Sequence, residues 1–570
     1  MRTDDAGRDE RPWLAHYDAE VAPRLEYPRI PIHRLLEDTA ARQPGSPCVN
    51  FFGRSFSYGA IRDLASRVAA GARRLGVRKG DRVALLLPNS PQFLAAYYGF
   101  LSAGAVIVPL NPLSTEKELT FYLCDSGART VVTIPLFAKK VASLQGTPVE
   151  NLVVSGLADF LPFPLGLVQR LKESIQLRGV THRGLVRFAG LVSAAPQASK
   201  PEEPEEPVDP DGMAVLIYSG GTTGTAKGIM LSHYACVVNA CQVVAWGHLD
   251  KAARLLAVLP LFHGFGMSVT MNAPILGGAE IVLLPRFNAR DVVRTIAKRR
   301  PTFLIGVPTM FVALSNLPDI ERWNLQSLDG IFVGAAPLTQ GVKEGFESRT
   351  GARMIEGYGL TEVVTACTAN PYRGVHKLGS VGIPFPDVDA RIAALDDGRE
   401  LGAEEQGEIQ LRTPSMMLGY FNDPDETRRS IVDGWLHTGD IGYRDEDGYL
   451  YITDRKKDLI IVGGFNVFPR EIDEVIHKHP KVMEGIAVGL PDEYAGERIK
   501  AYVVLRDGET ATEEELIAFF RQHLVAYKVP SAVEFRKELP KSMIGKILRR
   551  TLREEDERSR AAGGEGHARR

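Results

Sequence analysis

Patterns typical of helices and of strands alternate along most of this chain, and this alternation limits the possible fold more than any other feature. Apolar residues first recur at helical spacing at Ile61, Leu64, Ala65, Val68 and Ala69. A turn at residues 79–81 then leads into an apolar run at residues 82–87 that is typical of a buried strand. Such alternation predicts parallel sheets covered by helices, which is an α/β fold.

The length and the charge narrow the class of protein. A chain of 570 residues is too long for one hydrophobic core and predicts two or more domains. Its formal net charge of −2 gives no electrostatic reason to expect a nucleic acid as partner. The five cysteines are scattered without a CxxC pair, which favours reduced thiols in a cytoplasmic protein over disulfides or a zinc site. We expect no secretory signal, because the first residues lack an apolar stretch.

One apolar run, residues 93–110, is nearly long enough to span a bilayer. Gly99 and Gly104 interrupt the run, and its residues 106–108 are β-branched. We therefore expect a buried helix that ends near Gly104 and a buried strand after it, rather than a transmembrane helix.

A loop rich in glycine and threonine follows the apolar run Met213–Ile217, and residues 218–228 read YSGGTTGTAKG. A glycine-rich turn can place backbone N–H groups around an anion, and hydroxyls and one lysine add further donors. The loop differs from a P-loop, since Lys227 precedes Gly228 instead of Ser or Thr. These residues favour a phosphate-binding loop, and a solvated turn stays open as the alternative.

A second segment, MIEGYGLTE at residues 354–362, places Tyr358 between two glycines. A tyrosine with bare backbone on either side can offer its face to a flat ring. Thr361 and Glu362 follow closely, and a hydroxyl with a carboxylate can hold a phosphate oxygen and its Mg²⁺. The alternative is a turn with an incidental glutamate.

Two further segments place small residues or glycines beside a candidate site. VGAAPL at residues 333–338 is a turn of small residues after an apolar strand, against which a planar base fits. LPLFHGFGM at residues 259–267 surrounds His263 with glycines and aromatic residues. Taken alone, His263 is interpreted as a packed histidine rather than a catalytic one.

Two segments toward the C-terminus each contain a charged residue directly after a glycine. DGWLHTGD at residues 433–440 ends with Asp440, a carboxylate that suits the two hydroxyls of a ribose. LPKSMIGKILRR at residues 539–550 contains Lys546, although lysines in such polar segments are usually solvated.

The composition also predicts where the domains divide. A Pro/Glu-rich stretch at residues 199–212 is expected to run over the surface, and five consecutive charged residues at 454–458 are interpreted as a solvent-exposed joint. After this joint comes a small α+β pattern of its own. The predicted organisation is an N-terminal tail at 1–27, a large domain at 28–454, a small C-terminal domain at 455–552 and a tail at 553–570.

Taken in order, these segments resemble the adenylate-forming superfamily of acyl- and aryl-CoA synthetases, luciferases and peptide-synthetase adenylation domains. The matching segments span roughly residues 28–552, and they also include GEIQLRTPSMMLGYFNDPDET and TDRKKDLIIVGGFNVFPREI. Within the superfamily the chain looks most like long-chain fatty-acid–CoA ligases, because of the Ser-Gly-Gly of the phosphate loop, Ala226 before the lysine, and GGFNVFPREI. The resemblance implies a large N-terminal domain of helix-covered sheets plus a small barrel, and a small mobile α+β C-terminal domain.

The resemblance implies a reaction in two steps. A carboxylate first attacks the α-phosphate of Mg·ATP, which gives an acyl-adenylate and pyrophosphate. The thiol of coenzyme A then attacks the acyl carbonyl and releases AMP. ATP, Mg²⁺ and coenzyme A are thus implied, together with a small-molecule carboxylic acid. The first step needs charge neutralisation and in-line positioning rather than a general base.

The resemblance also assigns residues to the nucleotide. The β- and γ-phosphates would be held by the loop residues Ser219, Gly220, Gly221, Thr222, Thr223, Gly224 and Lys227. Adenine would lie between Gly334, Ala335 and Ala336 on one side and Gly357 and Tyr358 on the other. Asp440 and Arg455 would hold the ribose.

The remaining implied roles concern the chemistry and its control. Thr361 would contact the α-phosphate, Glu362 would ligate Mg²⁺, and Lys546 would bridge the reacting carboxylate and the α-phosphate. The acyl pocket would lie beyond His263. Lys457 would be the hinge of a rotating small domain, and the loop of Gly463 and Gly464 would line the tunnel for coenzyme A.

Several alternatives stay open at this point. The acid could be medium-chain or aryl, the acyl-adenylate could go to a carrier protein, or the chain could bind ligands without catalysis. A homodimer stays open, as does a cytoplasmic protein that is peripheral to the inner face of a membrane. For the apolar residues 155–172, the sequence favours a surface insertion with a locally packed apolar face over membrane docking.

Overall fold

The computed structural model contains two compact units. Unit 1 comprises the chain up to Asp389 together with Arg412–Gly434. Unit 2 comprises Ala390–Leu411 and the chain from Trp435 onward. The structure describes residues 11–193, 207–219, 226–462, 465–492, 496–541 and 547–564.

The strands, in chain order, are β1 (Pro47–Phe51), β2 (Arg54–Ser57), β3 (Arg82–Leu86), β4 (Val106–Pro109), β5 (Thr130–Thr133), β6 (Asn151–Val154), β7 (Leu185–Arg187), β8 (Met213–Ser219), β9 (Lys227–Ser232), β10 (Arg254–Ala257), β11 (Glu280–Leu283), β12 (Phe303–Gly306), β13 (Gly330–Val333), β14 (Arg353–Gly359), β15 (Ala366–Ala369), β16 (Ile383–Pro384), β17 (Asp389–Ala393), β18 (Gly407–Arg412), β19 (Gly419–Tyr420), β20 (Ile431–Val432), β21 (Trp435–Arg444), β22 (Leu450–Arg455), β23 (Ile460–Val462), β24 (Phe465–Val467), β25 (Val482–Asp492), β26 (Gly496–Leu505) and β27 (Ala532–Phe535).

The helices, in chain order, are α1 (Arg34–Arg42), α2 (Tyr58–Arg74), α3 (Pro91–Ser102), α4 (Glu116–Ser126), α5 (Pro135–Ser143), α6 (Leu165–Gln176), α7 (Phe188–Ser193), α8 (His233–Trp246), α9 (Gly264–Met267), α10 (Ala273–Gly277), α11 (Ala289–Arg299), α12 (Pro308–Ser315), α13 (Gln340–Thr350), α14 (Pro424–Ser430), α15 (Pro469–Lys478), α16 (Glu513–His523) and α17 (Arg549–Gly564).

Unit 1 is built on two large, mainly parallel sheets. The nine-stranded sheet has the order β16-β15-β14-β13-β12-β10-β11-β1-β2, and the eight-stranded sheet has the order β19-β9-β8-β4-β3-β5-β6-β7. Strands β10 to β14 pair in parallel, as do β3, β4, β5 and β6, because helices connect them in sequence. The predicted α/β class, with helix-covered parallel sheets, is confirmed.

Helix α3 and strand β4 account for the apolar run that resembled a membrane span. All twelve residues of α3 are buried, and Gly104 follows with a positive φ of 87° that reverses the chain. The buried strand β4 comes next. In the part of the chain that the structure describes, no helix is both long and apolar enough to cross a bilayer. The prediction of a buried helix and strand is confirmed.

Unit 2 contains two smaller sheets. Strands β18, β21 and β22 pair antiparallel, and β23, β25, β26 and β27 form a second sheet with β24. The second sheet has its own core, in which α15 contributes Ile472 and Ile476 and α16 contributes Leu516 and Phe520. This matches the predicted smaller α+β C-terminal portion. The boundary at residue 455 stays a prediction.

The N-terminal tail predicted at residues 1–27 is wrong over the described residues 11–27. Trp13 is buried, and the Tyr17 hydroxyl donates to the Pro384 carbonyl oxygen at 2.6 Å. Tyr27 donates to the Asp387 carboxylate at 2.7 Å. The segment is polar in composition, but its aromatic residues anchor it to unit 1.

The C-terminal tail predicted at 553–570 is wrong up to Gly564, since α17 continues through it. Two ion pairs fix the helix to β26: Lys500 lies 2.6 Å from Asp556, and Arg553 lies 3.1 Å from Glu497. These charges have partners within the protein, which a reading of composition alone misses.

The charged joint at residues 454–458 is also not exposed throughout. Asp454 is buried, and its carboxylate accepts hydrogen bonds from the backbone N–H groups of Arg455 at 2.7 Å and Arg470 at 2.8 Å. These bonds offset part of the cost of burying the charge, and burial still raises the pKa of this carboxyl group. The prediction of a solvent-exposed joint is therefore wrong at this residue.

Candidate active site

The predicted phosphate loop joins two antiparallel strands of unit 1, β8 and β9. Ser219, the last residue of β8, is the register partner of Lys227, the first residue of β9. The base of the loop is therefore closed by a backbone pair that fixes where the loop begins and ends. Between them, the predicted residues Gly220, Gly221, Thr222, Thr223 and Gly224 lie outside the described residues.

Lys227 has an anionic and an aromatic neighbour. Its Nζ atom lies 2.5 Å from Oε1 of Glu426 and 5.3 Å from the centre of the Tyr420 ring. The hydrogen bonds from Lys227 and Arg429 hold the pKa of Glu426 below its ordinary value. Glu426 stands in the first turn of α14, where a carboxylate also stabilises the helix. The ammonium of Lys227 is thus held at the edge of the loop.

Glu362 is joined to the same group of residues. It lies in a single 3-10 turn, Thr361–Val363, and its Oε1 accepts a hydrogen bond from the Tyr420 hydroxyl at 2.9 Å. Burial and the Glu362 carboxylate together raise the pKa of Tyr420 above its ordinary range, so the phenol keeps its proton. Strand β19, which carries Tyr420, pairs with β9 at Ile229 and Met230, two and three residues after Lys227.

The structure therefore brings Lys227, Glu362, Tyr420 and Glu426 into one network. Two of these, Tyr420 and Glu426, were not assigned a role from the sequence. Both lie in the segment GEIQLRTPSMMLGYFNDPDET, which belongs to the family pattern, and that membership was the available signal.

Tyr358 lies near the end of β14, where the ladder to β15 shifts its register between Tyr358 and Gly359. A Cβ atom added at Gly359 would lie 1.4 Å from the carbonyl oxygen of Thr365, so only glycine fits there. At Gly357 the same atom would lie 2.9 Å from the carbonyl oxygen of Thr368. The two glycines thus allow a close backbone approach on both sides of the tyrosine.

The turn Gly334–Ala336 lies beside Tyr358 because β13 and β14 are neighbours in the sheet. Val333 and Glu356 are register partners, and Glu356 accepts a hydrogen bond from the N–H of Leu338 at 3.1 Å. Ala335 has a positive φ of 69°, which turns the chain away from the strand. A Cβ atom at Gly334 would lie 3.2 Å from the Gly357 carbonyl oxygen. The two predicted walls for adenine are therefore adjacent.

His263 precedes the short helix α9, and its Nδ1 atom accepts a hydrogen bond from the N–H of Phe265 at 3.2 Å. Burial lowers the pKa of His263, so the imidazole is neutral at neutral pH with its proton on Nε2. A Cβ atom added at Gly264 would lie 2.8 Å from the Val364 carbonyl oxygen. His263 therefore stands next to the turn that carries Thr361 and Glu362.

In unit 2, Asp440 and Arg455 are joined both by strand register and by an ion pair. They are register partners in β21 and β22, and Arg455 Nε lies 2.6 Å from Asp440 Oδ1. The N–H of Asp440 donates to Thr438 Oγ1 at 3.0 Å, and Thr438 Oγ1 donates to the Ile409 carbonyl oxygen at 2.6 Å. These contacts fix the position of the carboxylate.

Lys457 lies in the turn that follows β22. The pair Gly463 and Gly464 lies outside the described residues, but its flanks Val462 and Phe465 are register partners in β23 and β24.

Lys546 is likewise outside the described residues. The residues that flank its loop, Lys541 and Ile547, are joined by an antiparallel bridge. The flanking residues of the phosphate loop, of the Gly463–Gly464 loop and of the Lys546 loop are therefore all paired through their backbones.

Two sequence families match this chain. The pattern of the family described as AMP-binding enzyme matches residues 36–421, and that of the AMP-binding enzyme C-terminal domain matches residues 471–546.

Individual relatives match over nearly the full length. The long-chain-fatty-acid–CoA ligase of Bacillus subtilis (strain 168) is 40% identical over 555 residues, which covers 96% of this chain and 99% of that protein. The protein of the same name from Escherichia coli O157:H7 is 38% identical over 553 residues, covering 95% of this chain and 98% of that protein.

A solved structure agrees with these relatives. The anthranilate CoA ligase AuaEII, crystallised in complex with anthranoyl-AMP, matches with a TM-score of 0.80 at 26% identity, over 93% of this chain and 97% of that one. With both family patterns in order and relatives matched over almost every residue, this chain belongs to the AMP-binding enzyme family of adenylate-forming enzymes.

Proposed function

We propose that this protein is an ATP-dependent acyl-CoA ligase that activates a long-chain fatty acid as its acyl-adenylate and transfers the acyl group to coenzyme A. The observation that carries the proposal is the extent of the likeness to long-chain-fatty-acid–CoA ligases, 40% identity over 96% of this chain in the Bacillus subtilis relative. The network around Lys227 and Glu362 supports it, since it joins a cation and a carboxylate at the base of the phosphate loop.

In the first step, a carboxylate oxygen of the acid forms a bond to the α-phosphorus of ATP, and the bond from that phosphorus to the bridging oxygen breaks. Pyrophosphate leaves with the electron pair of that bond. The charge on the leaving group must be neutralised, which is the role proposed for Ser219, Lys227 and the loop between them. In exchange for the phosphates, Lys227 would release Glu426, its present partner.

The residues present fit a magnesium ion that is held mainly by substrate. Mg²⁺ is usually bound through one or two carboxylates together with substrate phosphates and water. Within the described ranges, the structure has no cluster of three or more acidic, histidine or cysteine side chains that could hold a metal. Glu362, with its hydrogen bond from Tyr420, is the carboxylate we propose for this ion. When bound, the metal supplies charge neutralisation at the phosphates.

We propose the other nucleotide contacts from where the remaining candidate residues lie in the fold. We assign adenine to the gap between Tyr358 and the turn Gly334–Ala336, the α-phosphate to Thr361, and the ribose hydroxyls to Asp440 with Arg455. His263, neutral and next to the Glu362 turn, is assigned to the wall of the acyl pocket, where a neutral group disturbs an apolar chain less than a charged one.

In the second step, the sulfur of coenzyme A forms a bond to the acyl carbon and AMP leaves with the electron pair of the bond that breaks. We propose that Lys546 serves the first step, that the loop of Gly463 and Gly464 serves the second, and that Lys457 is the hinge between the two arrangements. The reaction is assigned to the cytoplasm.

The experiment that tests this function is acid-dependent exchange of pyrophosphate into ATP, followed by thioester formation with coenzyme A. The panel would comprise acetate, octanoate, palmitate, oleate and benzoate. Exchange that is strongest with palmitate or oleate, and that yields the acyl-CoA, is the expected result. The enzyme proposal is overturned if no acid supports exchange.

The same panel separates the two nearest alternatives. The likeness to an anthranilate CoA ligase favours an aryl acid as second candidate, and dominant exchange with benzoate would identify it. Exchange without thioester formation would instead indicate an acyl-AMP ligase that delivers to a carrier protein.

A further inference from the structure

Helix α6 of unit 1 turns its apolar side to solvent. Leu167, Val168, Leu171 and Ile175 recur at spacings of three and four residues, which places them on one face of the helix. Their exposed fractions are 55%, 52%, 68% and 61%. We name these four residues the α6 stripe. A surface helix of a globular protein normally buries such a face.

The opposite, polar side of α6 is the side that packs against the protein. Glu173 is buried, and its Oε1 accepts hydrogen bonds from the N–H groups of Leu157 at 2.7 Å and Ala158 at 3.1 Å. The side-chain amide of Gln169 donates to the same oxygen at 3.1 Å. Because Oε1 of this buried carboxylate accepts three hydrogen bonds inside the protein, the helix is fixed with its apolar face outward.

The segment before α6 extends the apolar surface. Phe163 is 83% exposed and Leu165 is 50% exposed. The interpretation favoured by the sequence was a surface insertion whose apolar face is locally packed. It holds for Ala158 and Phe160, which are buried, and it is wrong for α6 and the residues just before it, whose apolar side chains are exposed.

The exposed charged residues of α6 and of the chain that follows it, up to the end of β7, are basic. The exposed basic side chains of α6 and the chain up to the end of β7 are Arg170, Lys172, Arg178, Arg183 and Arg187. Arg170 is paired with Asp159 at 2.8 Å. Glu173, the acidic residue of α6, is turned inward. Arg170 and Lys172 stand on α6 itself, one on either side of the stripe, so the stripe is an apolar surface with a positively charged border.

We propose that the α6 stripe is a docking surface for an anionic lipid bilayer, on which the helix lies in the plane of the headgroups. An apolar face bordered by Lys and Arg is the pattern of an interfacial helix, which gains free energy from buried apolar area and from attraction to anionic lipid. The twelve residues of α6 extend over about 18 Å, too short to cross the hydrocarbon layer. This docking does not depend on which acid the enzyme activates.

The charges favour lipid over a second copy of the chain as the occupant. In a symmetric dimer through this face, each copy would bring the same basic border against the other, and facing like charges oppose association. A bilayer that contains anionic lipid neutralises the border.

Co-sedimentation of the full-length protein with vesicles tests the proposal without ATP or acid. The vesicles would be phosphatidylcholine alone and phosphatidylcholine mixed with phosphatidylglycerol. We expect binding to the mixed vesicles that weakens as salt is added, because salt screens the basic border. The double variant Leu171→Gln/Ile175→Gln should lower the partition coefficient by about tenfold or more. Both residues are exposed, so the fold should be retained, which thermal melting checks.

A variant of the basic border and a control variant separate the contribution of charge to vesicle binding from that of the apolar stripe. Lys172→Gln/Arg178→Gln should weaken binding to the mixed vesicles by about fivefold for each charge removed, without changing the response to neutral vesicles. Leu378→Gln, a matched control at an apolar residue of unit 1 that is 48% exposed, should bind as the unchanged protein does.

Three outcomes would overturn the proposal. One is an unchanged protein that stays in the supernatant with every vesicle, and another is a double stripe variant that binds as tightly as the unchanged protein. The third is that the unchanged protein does not bind vesicles and sediments as a dimer, whereas the double stripe variant sediments as a monomer. That last result would assign the stripe to a second copy. Each outcome is independent of the exchange assay, so failure of docking and failure of the proposed activity are distinguishable.

Discussion

Arg455 Nε lies 2.6 Å from Asp440 Oδ1, and the two residues are also register partners on adjacent strands. Only 2% of the Asp440 side chain is exposed, so the carboxylate has one position and little freedom to leave it. A carboxylate held in this way is preorganised to accept two hydrogen bonds from a diol.

The first prediction concerns this carboxylate. Asp440→Asn keeps the volume but removes the charge-assisted bonds to the ribose, so KM for ATP in the exchange assay should rise by about 10-fold to 100-fold. Asp389→Asn is the matched control, because Asp389 pairs with Arg412 at 2.9 Å and has no proposed role. Equal KM values for the two variants would remove Asp440 from the ribose site.

The second prediction separates the charge of Glu362 from its hydrogen bond. Glu362→Gln keeps an acceptor for the Tyr420 hydroxyl but removes the anionic ligand proposed for Mg²⁺, so kcat/KM for exchange should fall by about 100-fold or more. Tyr420→Phe keeps the carboxylate and removes its hydrogen bond, and its loss should stay below about tenfold. A larger effect for Tyr420→Phe than for Glu362→Gln would contradict the metal assignment.

The third prediction concerns the backbone beside Tyr358. In Gly359→Ala the new methyl group would meet the Thr365 carbonyl oxygen at 1.4 Å, so β14 and β15 must separate there. We expect a lower melting temperature together with a raised KM for ATP. Gly341→Ala, in α13 with no atom within 4 Å of the added Cβ, should be neutral or stabilising by about 0.5–1 kcal/mol.

The fourth prediction is a pH dependence of stability. Burial lowers the pKa of His33 to about 4 and that of His233 to about 3, against 6.5 in the unfolded chain. As the pH falls below 6.5, the unfolded chain takes up protons that the folded protein cannot bind, so the folded state loses about 1.4 kcal/mol per pH unit for each histidine.

Melting temperatures at about pH 7 and about pH 5 measure this loss. His233→Gln should show a smaller drop between the two pH values than the unchanged protein. His523→Gln, at an exposed histidine of α16, should show the full drop. The buried histidines are not the cause if all three proteins have the same drop.

The fifth prediction separates the two half-reactions. Lys546→Ala should abolish acid-dependent exchange while leaving thioester formation from supplied acyl-adenylate largely intact, and Gly464→Leu should do the reverse. Lys541→Ala serves as control for Lys546, because Lys541 flanks the same loop but is paired with Glu484 at 2.5 Å. Loss of both halves in Lys546→Ala would count against separate arrangements for the two steps.

The sequence was sufficient where local pattern determines structure. The buried helix α3 and the strand β4 follow from an apolar run interrupted at Gly104, and the strand β8 before the phosphate loop follows from the apolar run Met213–Ile217. Motif order was sufficient to predict the family.

Contacts between distant segments could not be predicted from local pattern. Lys227 and Glu426 are 199 residues apart in sequence, and they meet because the short strand β19 pairs with β9. The charges near the C-terminus looked solvated because composition does not show that Lys500 is the partner of Asp556. For α6, periodicity predicts an apolar stripe, but the buried hydrogen bonds of Glu173 decide which way the stripe faces.

Helix α3 has a consequence for how unit 1 can be divided. It packs against α2, and its Tyr98 donates a hydrogen bond to Asn272, far along the chain, at 2.8 Å. Because none of its sides faces water, α3 belongs to the interior of unit 1 from every direction. A fragment of the chain that ends before Asn272 would leave this helix without that hydrogen-bond partner, partly uncovered and prone to aggregate. The two large sheets are thus parts of one cooperative block, and neither is a separable module for truncation or domain exchange.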